Sequence, residues 1–192
     1  TFAEGSDYNK VVITKDFIMR SDIGADVTVS GSAGKLTVEN GGDYTILGTL
    51  SVIGSNSSYI SSVEILSGGK LKVAEGIATV NYATVTNNGT LTCKNIYVDY
   101  GGNLINRGTL YCDGEFKTRN SNIKVIQDVD SAKMYIRGDM LFYYRNNDAL
   151  ISAGTVIFDG KTVQNLNAQC FNMHVHNSAA LIGDIEVYGN AN

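Results

Sequence analysis

The chain has 192 residues, with 15 Lys and Arg against 19 Asp and Glu for a net charge of −4, and no run of basic residues, which argues against nucleic acid as a partner. Hydrophobic residues make up 43% and charged residues 18%, enough apolar material for one continuous core and the wrong composition for a disordered chain. Proline is absent and glycine numbers 21, a combination that excludes collagen-like and polyproline chains and leaves nearly every backbone N–H available as a donor. The longest apolar cluster, Met140 to Tyr144, is far too short to span a bilayer. The sequence opens Thr1-Phe2-Ala3 with neither a charged n-region nor an apolar h-region, and is read as a piece of something longer.

Helical periodicity is hard to find. What recurs is a short apolar-x-apolar unit bounded by Gly, Asn, Ser or Asp, the period-2 signature of a strand with one buried face. In chain order these units are Val27/Val29, Leu36/Val38, Leu50/Val52, Val63/Ile65, Leu71/Val73, Leu91/Cys93, Ile96/Val98, Leu110/Cys112, Ile123/Val125, Val156/Phe158, Met173/Val175 and Ile185/Val187. Strands of three to five residues between tight turns are too short for a sandwich.

A Gly-x-Leu-x-apolar motif begins at Gly34, Gly48, Gly69, Gly89 and Gly108, with a relative at Gly154. The copies from Gly48 to Gly108 lie 21, 20 and 19 residues apart, a period suited to the coil of a parallel solenoid. The 14 residues from Gly34 to Gly48 break it, and are read as a second face of the same coil or an irregular first turn. The fold class expected is therefore all-β, a single-stranded right-handed parallel β-helix of about 20 residues per coil with little helix. One domain is expected over 1–192: an N-terminal cap over 1–30, regular coils over 31–118 and less regular coils over 119–192. Aligned on the motif, Leu36, Leu50, Leu71, Leu91 and Leu110 form one inward column and Val38, Val52, Val73, Cys93 and Cys112 another, about 4.8 Å between copies. The outward residues between them, Thr37, Ser51, Lys72, Thr92 and Tyr111, are too irregular for an ice-binding face. Gly41-Gly42, Gly68-Gly69 and Gly101-Gly102 are read as corners with positive φ, and Asn40, Asn87, Asn88, Asn103 and Asn106 as residues that ladder or cap those corners.

Few residues suggest chemistry. His174 and His176, the only histidines, fall at i and i+2 on a strand and make a metal candidate, although no third ligand is placed beside them. Cys93, Cys112 and Cys170 include no CxxC, so neither a disulfide framework nor a zinc ribbon is indicated. The first two are expected as buried free thiols, and Cys170 as the accessible one. Of eleven tyrosines, Tyr82, Tyr97, Tyr100, Tyr111 and Tyr135 are candidate ligand-contact aromatics for an exposed face, where rings stack on sugars. Asp128 with Asp130, or Asp99 near Lys94 and Asp113, are the acid pairs considered for general acid–base work. No nucleophile elbow, zinc-protease helix, phosphate loop or calcium loop is present, and neither a cofactor nor catalysis is expected.

The coils Gly89-Thr90-Leu91-Thr92 and Gly108-Thr109-Leu110-Tyr111, followed by Ala153 to Gly160, Val163 to Leu166 and Phe171 to Val175 before Asn177-Ser178, resemble a repeat of large secreted or surface-displayed bacterial proteins: adhesin-like solenoids similar to filamentous haemagglutinin. The resemblance covers most of residues 27 to 190 and carries over no catalytic residue. It implies an extracellular or cell-surface address, neighbouring domains, and a non-catalytic structural or adhesion module acting as a rigid spacer or binding surface. Glycans or host and cell-surface proteins are the partners it implies. The alternative is a carbohydrate-binding or carbohydrate-active β-helix of the polysaccharide lyase or glycoside hydrolase kind, whose acidic motifs are not matched here.

Overall fold

The computed structural model describes residues 10–56, 60–80, 82–120, 122–143 and 149–192. Residues 1–9 of the expected cap and Tyr144 of the apolar cluster fall outside that set. The fold is a parallel β-solenoid of about 8 turns, with strands stacked about 20 residues apart and no helix among the described residues.

Three faces make up each full coil. The third face is a separate seven-stranded sheet of β2 (Asp16–Ile18), β4 (Lys35–Val38), β7 (Ser62–Ile65), β9 (Thr84–Asn87), β11 (Asn103–Asn106), β14 (Lys124–Gln127) and β17 (Ala149–Ile151). The other two belong to one 14-stranded sheet, joined where β8 (Lys70–Val80) and β10 (Thr90–Val98) run round a corner. The first half of β8 pairs with β5 (Asp43–Ile46) and its second half with β6 (Thr49–Ile53), two successive strands of the preceding coil. The first face continues through β12 (Thr109–Cys112), β15 (Lys133–Ile136), β18 (Thr155–Phe158) and β20 (Asn172–Val175). On the second face, β1 (Lys10–Ile13) and β3 (Asp26–Ser30) precede β6, while β13 (Phe116–Thr118), β16 (Met140–Leu141), β19 (Gln164–Cys170) and β21 (Leu181–Val187) follow β10. β1, β2 and β3 lie within the segment expected to cap the rod, and already pair in the ladders.

Alternating side chains explain why such short pieces hold. In β4, β7, β9, β11, β12 and β14 every second residue is buried, and each buried residue packs on its equivalents one coil above and below. Leu71, Leu91, Leu110, Met134 and Val156 form one such column on the first face, and Val73, Cys93, Cys112, Ile136 and Phe158 the next. Glycine opens the motif because backbones touch there. A Cβ added to Gly108 would lie 2.1 Å from the Gly89 carbonyl oxygen. At the corners Gly41, Gly68 and Gly101 have φ of +79°, +78° and +68°, as the Gly-Gly pairs foretold.

The five-leucine column is corrected. Only Leu71, Leu91 and Leu110 stack; Leu50 lies between Val27 and Ile77 on the second face, and Leu36 between Phe17 and Val63 on the third. The motif marks a turn followed by a strand, and any corner of the coil needs one. The 14-residue interval arises because Gly34 leads into the third face and Gly48 into the second, with β5 of the first face between them. Thr37 and Ser51 accordingly leave the outward column of Lys72, Thr92 and Tyr111.

One buried column changes chemistry along its length. On the third face Val38 and Ile65 give way to Asn87, Asn106 and Gln127, all fully buried. Asn87 Nδ2 donates to Asn106 Oδ1 at 2.8 Å, Asn106 Nδ2 to Gln127 Oε1 at 2.8 Å, and Gln127 Nε2 to the Ala153 carbonyl at 3.1 Å. The same Asn87 and Asn106 amides also reach the carbonyls of Thr109 and Lys133 at 3.0 Å. Buried amides are tolerated because donors and acceptors alternate along the stack.

All three cysteines are free and buried. The expectation of an accessible Cys170 is overturned: it ends β19 with its side chain in the core, and burial pushes its thiol up to about 12. A hydrogen bond with Cys112, together with burial, holds the Cys93 thiol well above the ordinary range.

Candidate functional site

Many of the charged side chains on the outside lace coils together. Of the eight ion pairs among the described residues, seven join one coil to the next, and only Lys117–Glu115 lies within a single coil. Arg107 grips Asp128 through Nε at 2.9 Å and a terminal nitrogen at 2.8 Å, holding that carboxyl below the usual aspartate range. Arg137 bridges Asp113 at 2.6 Å and Asp159 at 3.4 Å. Asp128, Lys94, Asp99 and Asp113, members of the acid groupings considered from sequence, have partners of their own. Asp128 faces Arg107, Lys94 faces Glu75 at 3.1 Å, and Asp99 accepts from the Tyr100 N–H at 2.9 Å and from Asn120 Nδ2.

The five tyrosines do not share one face. Tyr111 and Tyr135 occupy the outward column of the first face, with ring centroids 4.7 Å apart and an interplanar angle of 18°, so each spends one ring surface on the other. Thr92 precedes them in the column and Ile157 follows. Tyr82 and Tyr100 stand at the corner between the second and third faces, exposed, with φ of 63° and 34°. Non-glycine residues rarely adopt that region; here the Tyr82 N–H donates to the Tyr100 carbonyl at 3.3 Å and the Tyr82 ring lies over Gly101. Tyr97 is outward on the second face. Arg119 covers its ring at 4.3 Å, and burial followed by a hydrogen bond to Glu115 raises its hydroxyl pKa.

His174 continues the outward column below Ile157, and its ring centroid is 6.2 Å from that of His176. His174 Nε2 lies 3.4 Å from Asn192 Nδ2. No group of three or more His, Cys, Asp or Glu among the described residues is placed to hold a metal ion.

Two concavities went unnoticed in the sequence. On the second face, Gly76 and Ala78 occupy positions between Thr49 and Ser51 on one side and Asn95 and Tyr97 on the other, leaving a hollow of about 270 Å³ beside the Tyr97 ring. The larger one, about 580 Å³, lies where the third face stops. β19 leads into β20 through Phe171 alone, so the final coils have no third-face strand, and β17 has β14 as its single strand partner among the described residues. Ile126, Leu150 and Ile151 form one wall of this groove, with Gln169, Phe171 and Tyr188 on the shelf below. A shortened repeat was the signal for it: Thr155 to Asn172 spans 17 residues, against 20 from Lys70 to Thr90. Compared with family models, curated proteins and solved structures, the chain matches none.

Proposed function

We propose that this chain is a non-catalytic structural or adhesion module of a bacterial secreted or cell-surface protein, a rigid spacer that carries a binding surface along its length. The lacing of neighbouring coils by Arg and Lys pairs to Asp and Glu supports this reading most directly. Charges paired between successive coils stiffen a rod. Exposed pairs are individually worth about 0–1 kcal/mol, so their distribution along the rod carries the argument and their strength does not.

Small-angle scattering combined with a reducing-end assay over a polysaccharide panel tests the proposal. A rod-like scattering profile without release of reducing ends is expected, and turnover of any polysaccharide overturns it. A second reading, glycan binding, is favoured by the hollow beside Tyr97, where the ring is covered by Arg119 from the following coil and Gly76 and Ala78 lie on the preceding side. A glycan array on the wild type and Tyr97→Ala separates the two, because only the glycan reading expects a signal that disappears with the ring.

A further inference from the structure

We propose that the groove under β17 is a strand-addition site that takes an extended peptide with apolar residues at alternate positions, contributed by a partner and paired parallel to β17. Beyond the module reading, this assigns a specific site and the chemistry of its ligand.

The argument rests on a missing row. Six strands of the third face each have a strand partner below them in the rod, and the seventh, β17, ends the sheet while the first and second faces continue through β18, β19, β20 and β21. A sheet edge presents alternating N–H and C=O groups that favour another strand, and extended peptides are known to satisfy such edges by β-augmentation. Edges of this kind are usually blunted by charge, proline or a covering loop. β17 reads Ala-Leu-Ile, and its outward Leu150 is 49% exposed below Ile126 in the same column.

Side-chain chemistry fits a strand better than a compact ligand. The wall is formed by the aliphatic groups Ile126, Leu150 and Ile151, and the shelf by Gln169 and the aromatic residues Phe171 and Tyr188. A strand added one row below β17 continues both patterns. Its outward residue follows Ile126 and Leu150, and its inward residue follows Gln127 and Ile151. Asp128 at the rim is already satisfied by Arg107, so the groove makes no demand for an ionic partner. The volume, about 580 Å³, lies within the range of ordinary ligand sites.

The probe is a fluorescein-labelled hexapeptide with the sequence of residues 123–128, Ile-Lys-Val-Ile-Gln-Asp, a copy of the strand that β17 already accepts on its other edge. Two further peptides carry backbone N-methyl groups at alternate residues, one set at Lys124 and Ile126, the other at Val125 and Gln127. Each set removes the donors from one edge of the peptide. Saturable binding is expected for the unmodified peptide, with at least a tenfold loss for one methylated set and little change for the other. Leu150→Lys, at a half-exposed position that tolerates charge, is expected to weaken binding at least tenfold while leaving the denaturation midpoint unchanged. Absence of saturable binding overturns the proposal, as do equal effects of the two methylated sets or full binding by Leu150→Lys. Any of these failures leaves the module reading standing, since that is decided by scattering and the turnover assay.

Discussion

Replacing Asn106 by valine tests whether the buried amide column acts as one unit. Valine fits the site, because the same column holds Val38 two rows before the amides begin. The change removes three hydrogen bonds: acceptance from Asn87, and donation to Gln127 and to the Lys133 carbonyl. Asn87 Nδ2 keeps the Thr109 carbonyl, while Gln127 Oε1 loses the donor that the structure shows for it in a fully buried position. A lost hydrogen bond is worth about 0.5–1.5 kcal/mol net, and an orphaned buried acceptor costs about 1–3 kcal/mol. The expected destabilisation is about 3–5 kcal/mol, a large part of the stability of an ordinary domain. Urea denaturation followed by circular dichroism should show the midpoint fall by about 1–2 M at an m-value of about 2–3 kcal/mol/M. Changing Asn87, Asn106 and Gln127 together to valine, valine and leucine removes partners along with their mates, so the triple variant should cost less than the sum of the three single ones by about 2 kcal/mol or more. Additivity within about 0.5 kcal/mol, or a single-variant cost below about 1 kcal/mol, would refute the cooperative column.

Leu91→Asp sets an unpaired carboxylate between Leu71 and Leu110 and should cost several kcal/mol, whereas Thr92→Asp, one residue along and outward, should change stability by about 0.5 kcal/mol or less; equal denaturation midpoints for the two would disprove the register of the first face. With all three thiols buried, a thiol reagent at neutral pH should label none of Cys93, Cys112 and Cys170 in the native protein and all three after denaturation. Rapid native labelling of Cys170 would show that the end of β19 is open, against its position in the core.

The amino-acid sequence alone determined the strand parity and the coil period. Leu71, Leu91 and Leu110 are buried and stacked, and so are Cys93 and Cys112, because alternation specifies which residues point inward and a repeat near 20 brings like residues into line. Corner glycines were legible for the same local reason: positive φ has few other candidates. Which face a given strand joins was decided only in three dimensions. Leu36, Leu50 and Leu71 carry the same motif but belong to three faces, since the motif records a turn and a strand but not how many corners have gone before. That ambiguity also scattered the tyrosines, aligned Gln127 with Asn87 and Asn106, and drew Cys170 inside. The groove at β17 depends on it most, because a missing strand leaves only a shortened repeat in the sequence, and which face lacks it becomes visible when the neighbouring faces continue past the place where it would have paired.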